Sequence, residues 1–334
     1  MTRSPIGVIG AGSWGTALAV CLARNGHPVR LWGHDPAHSA RLAAERRNAE
    51  FLPGIDFPEK LTASNDLVRI ADECDDLLIV VPSEFFRATL VQLHGHLHDA
   101  SRIAWATKGL EEGSGKLLHQ IAAEELGADR PLAVVSGPTF AMEVARGLPT
   151  ALTVASADPR FANDFAAALH GGEMRAYTAT DVIGVEVGGA IKNILAIAAG
   201  IADGLGFGAN ARAALITRGL REIMRLGVHL GGEAETFMGL TGIGDLVLTC
   251  TDDQSRNRRF GLAIGRGADV ATARAGIDQV VEGLGTARVT HELASRLGVD
   301  MPIVEQVYQV LWNGRRPEHA VRSLFERDQK AEAN

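Results

Sequence analysis

The stretch that most limits what this chain can become is residues 6–16, IGVIGAGSWGT. An apolar run holding Ile6, Val8 and Ile9 leads directly into Gly10, Gly12 and Gly15, and residues 16–24 that follow are rich in alanine and leucine. The order is strand, glycine turn, helix. In such a unit Gly10 permits the tight turn, Gly12 has no Cβ to obstruct a pyrophosphate, and Gly15 lets the helix close onto its strand. The helix start then turns unpaired N–H groups and the positive end of its dipole toward the phosphates. Glycines at this spacing also occur in ordinary turns, so context decides. Here Asp35 follows Gly15 by 20 residues, in LWGHD, where a second strand should end, and an acid at that distance suits a ribose hydroxyl. The glycines therefore read as a dinucleotide site.

With 334 residues, 46% of them hydrophobic, the chain can fill a sizeable core, and its length predicts two domains. Asn25-Gly26-His27 reads as a glycine C-cap and residues 28–32 as the second strand, completing a βαβ unit. A helix is expected over 37–49 and a loop over 51–60. The nearly continuous apolar run 75–81 has the pattern of a strand covered on both faces, and Pro82-Ser83-Glu84 ends it at a ligand crevice. The same grammar recurs. Helix 86–97 leads to strand 102–106 and Thr107-Lys108-Gly109, and helix 116–126 leads to strand 132–135 and Ser136-Gly137-Pro138-Thr139. Further β-rich segments lie at 150–155 and 174–178. This alternation predicts an α/β, doubly wound, mainly parallel sheet. Past Thr180 the texture becomes helical, with expected helices at 182–203, 210–230, 255–265, 285–297, 302–312 and 317–325. The expected domains are thus 1–180 and an all-α 181–334, with a charged tail from Glu326 that should fray.

The net charge of -7 argues against nucleic acid or an anionic membrane as the main partner, since both select basic patches. A small anionic substrate needs only a few local cations. Cys21, Cys74 and Cys250 have no metal-ligand spacing and cannot all pair with one another, so a reduced, cytoplasmic setting without a metal is expected. Residues 1–5 are too short for a signal peptide, and polar residues interrupt the long apolar runs, so no membrane insertion is expected.

Four polar clusters stand out. Lys108, just after a strand, either projects into the crevice or is plain surface charge. In the second cluster, residues 136–143, Gly137 permits close approach of a ligand and Thr139 is placed to cap a helix with Met142 three residues on; a capped turn accounts for the pattern on chemistry alone. The third is Lys192-Asn193 inside VEVGGAIKNILAIAAGI, where neither side chain belongs without partners. Gly188 and Gly189 cost about 1 kcal/mol each in a helix relative to alanine, so close packing should compensate. Burial and a nearby second lysine would lower the Lys192 pKa and make it a proton donor and acceptor. A lysine snorkelling from a helix surface is the bland account, and the apolar residues on all sides favour the functional one. The fourth cluster runs from Thr241 through Asp245 and Thr249 to 253–259, DQSRNRR. Asp245, bracketed by glycine, can orient the lysine, and Ser255, Arg256 and Asn257 at a helix start form an anion-binding terminus. The bland account is a capped, solvated basic helix.

Taken in order, GAGSWGTALA, WGHD, VVPS, ATKG, SGPTFAMEVA, GGAIKN, LTGIGDLVLTC, SRNRRFG and VVEG resemble the soluble, bacterial type of NAD(P)-dependent glycerol-3-phosphate dehydrogenase, from Ile6 to about Glu318. The resemblance implies a Rossmann domain followed by a helical domain like the C-terminal one of 6-phosphogluconate dehydrogenase, usually as a homodimer. It implies reversible conversion of sn-glycerol 3-phosphate, a small phosphorylated three-carbon substrate, to dihydroxyacetone phosphate with NAD or NADP, feeding phospholipid synthesis. On this resemblance Ser13 and Trp14 in the Gly10–Gly12–Gly15 loop and His34 touch the cofactor, and Lys108 touches cofactor and substrate. Gly137 and Thr139 line the substrate and Ala141 the cofactor. Lys192 is the general acid/base, Asp245 belongs to its relay, and Ser255, Arg256 and Asn257 hold the substrate. Arg256, Val280 and Glu282 also reach the cofactor. Asp35 suits a ribose 2′-OH, while a cationic His34 or Arg41 suits a 2′-phosphate, so use of both cofactors is expected. A 3-hydroxyacid or ketopantoate-type reductase shares this layout and a helix lysine, yet its substrate has no phosphate for SRNRR. A nucleotide-sensing regulator with a decayed catalytic half would lack Lys192 or Asp245. The reading requires Lys192 to return to the rim of the crevice near Gly12.

Overall fold

In the computed structural model, which describes residues 4–326, the first apolar run becomes β1 (Ile6–Ile9), buried along its whole length. Residues 327–334, most of the tail expected to fray, lie outside the described residues. Around β1 an eight-stranded sheet assembles from β2 (Val29–Trp32), β3 (Leu61–Ser64), β4 (Asp76–Ile79), β5 (Arg102–Trp105), β6 (Leu132–Ser136), β7 (Thr150–Ala155) and β8 (Met174–Ala179). The order is β3-β2-β1-β4-β5-β6-β7-β8. The first six strands are parallel, β7 runs antiparallel to β6, and β8 is parallel to β7. The strand order reverses between β1 and β4, and ligands of open α/β sheets bind at such a switch point.

Helices cover both faces: α1 (Ser13–Arg24), α2 (Pro36–Glu45), α3 (Leu67–Glu73), α4 (Phe86–His94), α5 (Leu118–Leu126), α6 (Ala141–Arg146) and α7 (Pro159–Leu169). Successive strand residues point to opposite faces. Val8 and Leu78 therefore enter one core with Leu18 and Phe161, whereas Ile9, Leu77 and Ile79 enter the other with Phe86 and Trp105. The continuous apolar run of β4 is the imprint of these two cores. The turn after α1 is as read, with Asn25 at the C-cap and Gly26 following at φ +89°. The helix expected over 37–49 ends at Glu45, because Arg46 turns left-handed at φ 51° while its N–H donates to the Leu42 carbonyl. β3, α3 and α7 were not foreseen; β3 has no apolar run and α3 is only 7 residues long.

The remainder is helical: α8 (Val182–Gly204), α9 (Gly208–His229), α10 (Ala234–Phe237), a π-helical turn (Leu240–Gly244), α11 (Asp245–Thr251), α12 (Arg256–Gly265), α13 (Val270–Ala275), α14 (Glu282–Leu297), α15 (Pro302–Trp312) and α16 (Pro317–Phe325). α8 corrects the expectation about apolar runs. By length and hydropathy it is apolar enough to cross a membrane, but 89% of that stretch is buried inside the fold, among α9, α11, α12 and α14. Its glycines allow backbone contact. A Cβ on Gly200 would stand 2.1 Å from the Arg258 carbonyl oxygen, and one on Gly261 of α12 would stand 2.1 Å from the Ile197 carbonyl oxygen. Cβ atoms cannot approach backbone this closely, so the α8–α12 crossing exists only with glycine at the contact. The two halves also share interior. Leu110 and Leu117 pack into the helical core, Val185 of α8 packs into the sheet core, and Glu186 accepts from the His119 N–H at the start of α5 at 2.9 Å.

Candidate active site

The glycine turn divides its labour as its spacing implies. A Cβ at Gly10, φ +125°, would lie 2.4 Å from the Val80 carbonyl oxygen, and one at Gly15 would lie 1.9 Å from that of Gly10, whereas at Gly12 it would meet nothing within 4 Å. Beside this opening runs a cleft of about 400 Å³ between the sheet and the helical half, lined by Ser13, Trp14, Lys108, Lys192, Arg256 and Glu282 among others. Trp14 Nε1 is buried without a protein partner. Open space at the middle glycine, at the start of α1, fits the phosphates of a dinucleotide.

Across the cleft, α8 carries Lys192 inward. Its Nζ donates to Asp245 Oδ1 at 2.5 Å and to Thr249 Oγ1 at 2.9 Å, while Lys108 Nζ donates to Asp245 Oδ2 at 2.7 Å. Asp245, fully buried at the first position of α11, thus carries one ammonium on each oxygen. Burial lowers the Lys192 pKa to about 8, with Lys108 pushing the same way and Asp245 opposing. Burial pushes the Asp245 carboxyl up, but the two lysine charges outweigh it and hold it below the ordinary value. One carboxylate between two lysines leaves the cluster with one net positive charge when both are protonated.

The wall formed by α12 supplies further cations and donors. Ser255 caps α12, its Oγ accepting from Arg258 N at 3.2 Å. Arg256 donates to Gln279 Oε1 and lies 3.9 Å from Glu282, and Gln279 Nε2 reaches back to Ser13 Oγ at 3.2 Å. The contact therefore spans the cleft. Asn193 Nδ2 donates to Glu282 Oε2 at 2.9 Å, and Asn257 Oδ1 accepts from Gly283 N at 2.9 Å. Arg258, by contrast, is buried against Asp203 at 2.6 Å and serves the fold.

Ser13, Trp14, Lys108, Thr139, Ala141, Lys192, Ser255, Arg256, Asn257 and Glu282 all line the cleft, with Asp245 directly behind the lysines. Other residues named from the sequence are placed differently. His34 is exposed and Val280 is 39% exposed, both outside the lining. The Asp35 carboxylate caps α2, accepting from Ala37 N at 2.8 Å, and such backbone bonds hold its carboxyl below the usual range. Arg41 pairs with Glu50 at 3.2 Å. Gly137, at φ +154°, lies outside the cleft lining and packs against β7, where a Cβ would lie 2.8 Å from Leu152 Cα. Thr139 does not cap α6. Phe140 occupies that position, and Thr139 Oγ1 donates to the Gly137 carbonyl at 3.2 Å. Two further residues complete the site: Gln279, which carries no local signal in the sequence, and Thr249, signalled only by its spacing of 4 from Asp245 on α11. Among the described residues no group of three His, Cys, Asp or Glu is placed to hold a metal ion.

Comparison with known proteins extends this geometry. The families described as NAD-dependent glycerol-3-phosphate dehydrogenase N-terminus and C-terminus match residues 5–162 and 181–322. A relative from Thioalkalivibrio sulfidiphilus named glycerol-3-phosphate dehydrogenase (NAD(P)+) is 58% identical over 332 residues, covering 99% of this chain and 100% of that one. The crystal structure of a glycerol-3-phosphate dehydrogenase from Coxiella burnetii superimposes with a TM-score of 0.95 at 50% identity, covering 98% of this chain and 100% of that one. A ketopantoate reductase from Ralstonia eutropha reaches a TM-score of 0.58 at 16% identity, covering 95% of this chain and 99% of that one, and shares the fold alone. The chain belongs to the NAD-dependent glycerol-3-phosphate dehydrogenase family.

Proposed function

We propose that Lys192 is the proton donor and acceptor as this chain interconverts sn-glycerol 3-phosphate and dihydroxyacetone phosphate, with Asp245 and Lys108 completing its site. When bound, the nicotinamide ring supplies or accepts the hydride at substrate C2. In the reducing direction the Lys192 ammonium gives a proton to the C2 carbonyl oxygen; in the oxidising direction the neutral amine takes the C2 hydroxyl proton. Asp245 holds both lysines in place, and Thr249 fixes the Lys192 rotamer from the other side. The net positive charge stabilises the alkoxide that develops on the oxygen. Arg256 and the start of α12, with Ser255 and Asn257, suit the phosphate dianion. Ser13, Trp14, Ala141 and Glu282, over the open Gly12, form the cofactor side. We infer that either NADH or NADPH serves.

The observation that carries the reading is a buried lysine, tied to a fully buried aspartate, facing the same cleft as the glycine turn. Absorbance at 340 nm with dihydroxyacetone phosphate should fall on addition of enzyme with each reduced cofactor in turn; no oxidation of either would overturn the assignment. Lys192→Ala should lower kcat by about a thousandfold or more, within the range for losing a general acid, and leave the NADH dissociation constant near normal. Loss of both together would mark a structural lysine. The resemblance further supports functional units at 1–180 and 181–334, a homodimer, which sedimentation equilibrium measures directly, and a cytoplasmic place in phospholipid supply. The three buried, unpaired cysteines suit a reducing compartment.

A further inference from the structure

Asn48 lies outside every motif in the sequence, in the loop after α2, and is completely buried. All of its amide is engaged. Nδ2 donates to the Ala11 carbonyl and to Thr16 Oγ1, both at 2.9 Å; Oδ1 accepts from Phe51 N at 3.2 Å and faces His38 Nε2 at 3.3 Å. Because the Ala11 carbonyl requires a donor, the orientation of this amide is fixed, and His38 Nε2 is the donor toward Oδ1.

The Ala11 contact has a directional consequence. Across a trans peptide the carbonyl and the following N–H point to opposite sides. Drawing the Ala11 carbonyl back onto Asn48 therefore turns the Gly12 N–H away from Asn48, at a residue whose surroundings are open, since a Cβ there would meet nothing within 4 Å. The same amide anchors Phe51, which lines the cleft and whose carbonyl accepts from Ser13 Oγ at 2.7 Å. One buried side chain thus sets both the phosphate-facing turn and the wall beside it.

We propose that Asn48 is a positioning residue for the dinucleotide pyrophosphate, aiming the Gly12 N–H at it through the Ala11 carbonyl. The inference rests on the reading of the glycine turn as a cofactor site. Asn48→Asp keeps the shape but replaces both donors by lone pairs that repel the Ala11 carbonyl.

The test is calorimetric titration with ADP-ribose, which carries the pyrophosphate without the nicotinamide. Losing a well-aimed donor to a charged phosphate should raise its dissociation constant by about tenfold or more, while kcat at saturating NADH should fall less than about threefold because the Lys192 chemistry is elsewhere. Thr16→Val removes the second acceptor of Nδ2 and leaves the Ala11 contact, so it should lower Tm with ADP-ribose affinity kept within about twofold. Should Asn48→Asp fail to fold, Asn48→Ala is judged by the same criterion. Unchanged ADP-ribose affinity in a folded Asn48 variant, or an equal loss in Thr16→Val, would overturn the proposal. Wild-type protein that bound no ADP-ribose would overturn the nucleotide site itself, and this inference with it.

Discussion

Lys192 pays for its chemistry with desolvation. Stripping water from the ammonium brings its pKa from 10.5 to about 8, with Lys108 reinforcing the shift and Asp245 limiting it. A lysine so tuned is largely protonated at neutral pH and becomes a base just above it. Oxidation of glycerol 3-phosphate needs the neutral amine, so kcat/KM in that direction should rise with pH and level off above about 8. Reduction needs the ammonium and should decline through the same region. Paired pH profiles measure this, and two profiles moving together would remove Lys192 from the proton transfer. Arg256→Ala should raise KM for phosphorylated substrates by roughly ten- to a hundredfold, the value of a charge-assisted bond, and leave that for unphosphorylated dihydroxyacetone nearly unchanged. An unaltered KM for dihydroxyacetone phosphate would move the phosphate elsewhere. Residues such as Lys192 were legible because a charge in an oily helix has no local explanation. Gln279 and Asn48 were not, because an amide in a polar loop looks like any other until its partners are known.

The elements that hold these side chains meet through glycine. α8 and α12 cross backbone to backbone at Gly200 and Gly261, which sets the distance between Lys192 and Arg256. Gly261→Ala would drive a methyl against the Ile197 carbonyl and should cost about 1–3 kcal/mol as an overpacking change. The expected result is a lower Tm together with a higher KM for glycerol 3-phosphate, at an NADH affinity little changed, since the glycine turn of the cofactor side lies between β1 and α1, not on α8 or α12. Thermal melts and steady-state kinetics read both; unaltered stability and KM would mean that the crossing relaxes freely. Elements with strong local signals were readable to the residue: α15 and α16 begin at prolines in their first turn, where the missing N–H costs nothing. The glycine-bracketed acid of residues 241–245 belongs to a π-helical turn entering α11, a rare form with no propensity signature in the sequence, packed so closely on α8 that a Cβ at Gly188 would lie 2.5 Å from the Thr241 carbonyl oxygen.

At the scale of the whole molecule the halves are one thermodynamic object. Leu110 and Leu117 belong to the helical core and Val185 to the sheet core, so separating the halves exposes apolar surface on both. Calorimetry should accordingly record a single unfolding transition, and two resolved peaks would contradict this coupling. The α/β order, the helical second half and the nucleotide turn were determined by the sequence alone, because hydrophobic period and glycine spacing act between near neighbours in the chain. The sequence already offered Asp245 as the partner of Lys192, 53 residues away; only the tertiary structure decided that the same carboxylate also holds Lys108 from 137 residues away, that Gly137 packs against β7, and that Asp35 caps a helix. Burial and distance are properties of packed elements, and no local pattern encodes which distant side chain will complete a buried charge.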